Sequence, residues 1–233
     1  MTGVTLSHNS QRTVVEHYAS PHRYGVFLRP SPELIRDCIT AFGIASGQFG
    51  FTAAAAFPPH ATLVGSIALA PNATETDLRA AIKDALAEVA PFTVHNAGLG
   101  RQFVDSIGYD IDGDGTGTGT GTVNRDLRAV MEKLFHALSS LTVFPSSDRF
   151  IESRKAASSE TTRGHVTVVG HDGAGHPELL DELLEVLEEL DLDHPSTFLA
   201  DTITLYRLTS EDWTGKYWQS MRWEVLESVR LSA

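Results

Sequence analysis

Two short stretches constrain this chain more than the rest of it: Phe57-Pro58-Pro59-His60-Ala61-Thr62-Leu63-Val64-Gly65 and Gly164-His165-Val166-Thr167-Val168-Val169-Gly170. Each is an apolar run with strand character in which a His is followed two residues later by a Thr. A strand's period of two puts both polar side chains on one face. One such strand is ordinary, because His and Thr are both tolerated in half-buried strands. Two imply a polar face built from paired halves. The tripeptide alone discriminates little, since His-x-Ser/Thr also occurs at His8 with Ser10 and at His194 with Ser196. The first lies in a polar N-terminal stretch and the second runs into Pro195 and turn residues, so neither reads as a sheet strand.

The elements between the motifs repeat. Residues 24–29 read as a strand, followed by Ser31 as N-cap, Pro32 at the first helical position and an apolar stripe of Leu34, Ile35, Cys38, Ile39 and Phe42 that Gly43 is expected to end. Residues 45–56 are Gly- and Ala-rich and read as a loop. After the His60 strand, Thr74 and Asp77 form a capping box for a helix that buries Leu78, Ile82, Ala85, Leu86 and Val89. Residues 92–94 and 103–111 are expected as strands joined through Gly98-Leu99-Gly100. In the second half Asn124 is placed to cap a helix with Leu127, Val130, Met131, Leu134, Phe135, Leu138 and Leu141 on one face, with His136 off that stripe. The His165 strand follows, then a helix from Pro177 with Leu179, Leu180, Leu183, Leu184, Leu187 and Leu190 inward and an acidic outer face. Strands over 199–208 and 222–231 close the chain. The order strand, helix, His-Thr strand, helix, two strands thus occurs twice over, apart from its opening strand. It predicts an internally duplicated α+β fold: two antiparallel sheets facing a central cleft, with helices outside.

With 233 residues, 42% of them hydrophobic and 21% charged, the chain can bury a full core. Residues 1–22 read as a flexible N-terminal arm, 23–233 as one bilobal domain, and the Gly-Thr repeat over 112–122 as a flexible insertion. A net charge of −12 argues against a long nucleic-acid partner, which needs Lys and Arg to neutralise phosphates. The single Cys38 precludes an internal disulfide and fits a reducing, cytoplasmic setting. No apolar run approaches membrane-spanning length. Asp110, Asp112 and Asp114 match the opening of a calcium loop, but Gly121 stands where its bidentate Glu belongs. His165, His171 and His176 lack recognisable zinc-ligand spacing. No metal or other cofactor is expected.

The paired motifs resemble those of the 2H phosphoesterase superfamily, and within it the plant and fungal cyclic phosphodiesterases. The likeness runs on through Tyr24-Gly-Val-Phe-Leu-Arg-Pro30, Gly98-Leu-Gly-Arg-Gln-Phe103, Ile203-Thr-Leu-Tyr-Arg-Leu208 and Trp223-Glu-Val. The resemblance implies metal-independent opening of a cyclic phosphate, either a nucleoside 2′,3′-cyclic phosphate or an ADP-ribose 1″,2″-cyclic phosphate, by a monomer acting on a small nucleotide. Histidine suits such chemistry because its pKa lies near working pH, so one imidazole takes a proton while the other gives one. The resemblance assigns His165 as base and His60 as acid, and Thr62 and Thr167 as hydroxyls that bind the phosphate oxygens. Phe27 matches an aromatic that helps hold the nucleotide. Where the family carries a second such ring, a Tyr five residues after the second motif His, this chain has Gly170; His171 or Tyr206 is the expected substitute, and Arg101 and Gln102 lie at a site-facing strand start. Two alternatives remain open: a 2′-5′ RNA ligase-like enzyme acting on RNA ends, and a nucleotide-binding module without turnover.

Overall fold

The computed structural model describes residues 14–15, 20–103, 105–111, 124–145 and 164–232. The Gly-Thr insertion, the remaining calcium-like positions Asp112 and Asp114, and the polar segment 146–163 lie outside the described residues. A short strand β1 (Val14–Val15) precedes β2 (His22–Leu28), α1 (Pro32–Gln48), β3 (Ala61–Leu69), α2 (Glu75–Leu86), β4 (Phe92–His95) and β5 (Leu99–Phe103). Then come β6 (Ser106–Asp110), α3 (Arg125–Leu138), β7 (Thr142–Pro145), β8 (His165–Val169), α4 (Pro177–Glu188), β9 (Thr197–Ala200), β10 (Thr202–Thr209) and β11 (Arg222–Arg230). Among the described residues no helix is long and apolar enough to cross a membrane.

Hydrogen bonding runs β11-β10-β2-β3-β8-β6-β5, with β7 and β1 attached at the far end of β3. The antiparallel halves of this sheet meet at a single residue pair, Ala61 with Val166. The repeat is visible in space: β2-α1-β3 has its counterpart in β6-α3-β8, and β4 pairs with its own counterpart β9 in a separate two-stranded sheet. The outer strands are exchanged. β5, which closes the first half, lies beside β6 of the second, whereas β10, with β11 beyond it, closes the second half and lies beside β2 of the first.

Local chemistry explains most of the elements. Ser31 Oγ accepts the Leu34 N–H, Pro32 starts α1, and the Thr74–Asp77 capping box starts α2. Leu127, Val130, Met131, Leu134, Phe135 and Leu138 of α3 are all buried, as their spacing predicts, and His136 is off that buried stripe. Cys38 is buried with its thiol pushed up to about 12, chiefly by desolvation.

Several expectations fail for identifiable reasons. Gly43 does not end α1, which continues to Gln48 because Ala45 is packed into the core and outweighs a glycine's cost of about 1 kcal/mol. Ile39 and Leu179 face solvent; on α1 the inward position belongs to Asp37, whose carboxylate accepts the backbone N–H groups of Asp193 and His194. Asn124 makes no side-chain cap: its side chain instead accepts from the His95 N–H and donates to the carbonyls of His95 and Ile111. The Gly98-Leu99-Gly100 link is the start of strand β5, and Asp201 divides the expected 199–208 strand into β9 and β10.

Candidate active site

The single pair between the half-sheets sets the geometry of both motifs. Ala61 and Val166 are fully buried and face the core, so alternation sends the flanking residues to the opposite face. Continuing the antiparallel register by one residue either way sets His60 across from Thr167 and Thr62 across from His165. All four are half-buried. Each His therefore has the other motif's Thr as its cross-strand neighbour, an arrangement that neither motif could make alone.

His60 sits just before β3 and its ring is held on several sides. Nδ1 donates to the Pro58 carbonyl at 2.7 Å, which leaves the lone pair of the neutral imidazole on Nε2. The Phe27 ring lies against it with centroids 4.1 Å apart, and Phe57 lies at 5.5 Å. Desolvation pushes the pKa of His60 down to about 4; the Pro58 hydrogen bond opposes this and the charge on His165 reinforces it. The two histidines thus feel each other electrostatically.

Neighbouring strands supply the rest of the face. Phe27 pairs with Thr62 and is only 4% exposed, so its ring supports His60 more than it offers a surface. That ring leans over Gly25, where a Cβ would collide with Phe27 Cζ. Tyr206 pairs with Gly25 and packs on Phe27 at 5.5 Å, and burial raises the pKa of its hydroxyl. In the other half-sheet, Gly108 pairs with Thr167 and Asp110 with His165. Gln102 crosses Gly108 and donates to its carbonyl at 3.0 Å, which places it beside Thr167. A Cβ on Gly108 would meet the Val166 carbonyl at 2.5 Å. Asp110 is buried.

His171 opens a 3-10 turn (His171–Gly173) after β8, and its ring lies 5.7 Å from that of Tyr217. Tyr217 in turn reaches Phe57 at 6.5 Å and stacks on Trp213 at 5.5 Å. Next to His171, Asp172 ties the turn to the segment before the first motif, accepting the N–H groups of Thr52 and, at 2.7 Å, Ala53. Arg101 turns away to Asp181 and the Pro177 carbonyl on α4. His176 lies against Phe51, and among the described residues no group of three His, Cys, Asp or Glu side chains could hold a metal ion. Concavities of about 400 Å³ beside Arg23 and Trp213 and about 680 Å³ beside Arg36 and Leu199 are lined by neither motif.

Sequence reasoning missed Phe57 and Tyr217 as neighbours of the histidines, and Asp110 as a neighbour of His165. Trp213, Tyr217 and Trp218 crowd into an otherwise polar loop, an aromatic excess visible in the sequence. Asp110 could be found only from the β6-β8 register.

No family model and no curated protein matches the sequence. Solved structures do match. A structure described as a phosphoesterase superposes with a TM-score of 0.52 at 13% identity, covering 91% of this chain and 100% of its own. Escherichia coli LigT complexed with 3′-AMP gives 0.50 at 15%, covering 92% and 100%. A protein of Thermus thermophilus gives 0.50 at 16%, covering 90% and 97%. The chain has the 2H phosphoesterase fold. Identities this low establish the fold, and the chemistry of the motif face must be argued from its own residues.

Proposed function

We propose that this chain is a metal-independent phosphodiesterase that opens a cyclic phosphate ester of a nucleotide by general acid-base catalysis between His60 and His165. The observation that carries the reading is the Ala61–Val166 pair, which aligns two His-x-Thr motifs head to tail on one face. A cyclic phosphate needs water to attack phosphorus in line with the departing ribose oxygen, so proton acceptor and donor must flank the phosphate. Two imidazoles from opposed strands meet that demand, and Thr62 and Thr167 can donate to the non-bridging oxygens. The nucleotide in the 3′-AMP complex of LigT, a protein of the same fold, supports a nucleotide ligand.

The electrostatics favour His60 as the base in the hydrolytic direction, the reverse of the roles the resemblance assigns. Burial and the His165 charge keep His60 neutral, and Pro58 fixes the tautomer with its lone pair on Nε2. His165, with the Asp110 carboxylate across the strand, is the member offered an anion, which suits the protonated partner. In the proposed step the water proton passes to His60 as the new P–O bond forms. The P–O bond to ribose breaks as His165 protonates the leaving oxygen, and a phosphomonoester results.

Assays of 2′,3′-cyclic nucleotides and ADP-ribose 1″,2″-cyclic phosphate test this directly. Replacing either histidine, as His60→Ala or His165→Ala, should lower kcat by roughly two to four orders of magnitude. Near wild-type turnover in either variant would refute the mechanism. Nucleotide binding without turnover in the wild type would identify a binding module instead, and joining of RNA ends would identify a ligase-like enzyme, against which the net charge of −12 argues.

A further inference from the structure

His60 precedes β3, and the ladder that brings β3 to β8 is a single residue pair, Ala61 with Val166. So short a ladder fixes little of the chain on either side of it. Past its end, however, the antiparallel approach goes on through a side chain. Asp172, in the turn after β8, accepts the N–H groups of Thr52 and Ala53 on one carboxylate oxygen, Oδ2, the latter at 2.7 Å. The segment held in this way touches both motifs. Around the point where a Cβ on Gly170 would stand, the Ala53 Cβ lies at 3.8 Å, the Ala54 nitrogen at 3.9 Å and the Thr167 methyl at 3.8 Å. Residues 53 and 54 thus border the second motif. After the 3-10 turn Ala54–Ala56, Phe57 lies 5.5 Å from the His60 ring and the Pro58 carbonyl accepts its Nδ1–H at 2.7 Å. One short turn separates the Asp172 contact from the atom that sets the His60 tautomer. The neighbouring His171 meets the same segment through Tyr217, which reaches Phe57 at 6.5 Å.

We propose that Asp172 is a positioning residue for His60: its carboxylate clamps residues 52–58 to the second half, so that the Pro58 carbonyl holds the His60 ring in the tautomer with its lone pair on Nε2. The role in turnover rests on the proposed acid-base chemistry of the histidine pair. The base of the first motif then depends on a turn that follows the second. Both N–H groups go to one oxygen, so the clamp needs an acceptor at the place of Oδ2 and not a charge. Released, the segment is free to shift, and a misplacement of about 1 Å in a catalytic group can cost about 100-fold in rate. A shifted segment also readmits water to a ring whose lowered pKa comes chiefly from burial.

The test is NMR of histidine-labelled protein without substrate, comparing wild type, Asp172→Ala and Asp172→Asn. Wild-type His60 should carry its proton on Nδ1 and titrate near about 4. In Asp172→Ala its tautomers should mix and its titration should move up toward the ordinary value of about 6.5, with His165, the charged group that also lowers it, left in place. Asp172→Asn should match wild type, because its amide oxygen can accept both N–H groups. On adenosine 2′,3′-cyclic phosphate, kcat should fall roughly 10–100-fold in Asp172→Ala with KM changed by less than about twofold, and should recover in Asp172→Asn. A wild-type tautomer and titration in folded Asp172→Ala overturn the clamp. An Asn variant as defective as the Ala variant overturns it too, by assigning the effect to charge. Ala53→Pro covers a failure of Asp172→Ala to fold: proline fits the φ of −63° at Ala53 and removes one of the two donors. It should change His60 in the same direction, and an unperturbed His60 there also overturns the proposal. If wild type turns over no cyclic phosphate, the catalytic reading falls while the NMR comparison still decides the clamp.

Discussion

The two motif strands occupy matching places in a duplicated fold, yet their surroundings are opposite in character. At the position paired with the motif Thr, the first half has Phe27 and the second has Gly108. One step along, the first half has Arg29, turned to Thr202 and Asp201, and the second has the buried Asp110 opposite His165. His60 is therefore packed by rings and tied to a carbonyl, whereas His165 has a carboxylate for its neighbour. Duplication supplies two like groups; divergence of the flanking strands gives one a dehydrating cluster of rings and the other a carboxylate neighbour. The proposed division into base and acid rests on this inequality.

Removing the acidic neighbour attacks the comparison most directly. Asp110→Asn should lower kcat/KM about tenfold or more, and should add little in a His165→Ala background because the two act as a unit. A full additive loss in the double variant would show that Asp110 acts elsewhere. Making the second half resemble the first is the next test. In Gly108→Ala the new Cβ meets the Val166 carbonyl at 2.5 Å, which should cost about 1–3 kcal/mol in denaturant unfolding. It should also raise KM by displacing Gln102; unchanged stability would mean that β6 and β8 separate more easily than their register suggests.

The smallest effect concerns pH. An ordinary His titrates near 6.5, and His60 is held down to about 4. Between those values the unfolded chain binds a proton that the native His60 does not, so stability should fall as pH drops from about 6.5 to about 4, by about 1–2 kcal/mol for a half-buried ring. His60→Asn should lack that slope. The acid limb of the wild-type kcat/KM profile should lie near pH 4, since it reports the free enzyme.

Much of the fold was legible because its determinants are local. The α3 stripe, the Thr74–Asp77 box and the Ser31-Pro32 start each act within a few residues. Gly43 misleads because the core contact of Ala45 is tertiary and overrides a propensity of about 1 kcal/mol. Ile39 and Asp37 exchange their expected places because the partner of Asp37, the turn at Asp193 and His194, lies far along the chain. At the site, the spacing within each motif is readable, but the coupling between motifs depends on one non-local residue pair. Tyr206 can be read from the sequence as a substitute ring on the face, yet the hold of Asp172 on Thr52 and Ala53 joins residues far apart along the chain.

The exchanged outer strands bear on how the two motifs stay together. If β5 remained with the strands that precede it, the β6-β8 pair would keep an exposed edge, and without β10 and β11 so would β2-β3. Neither half of the 233-residue chain finishes its own part of the sheet, so each motif strand depends for its cover on a strand that the other half encodes.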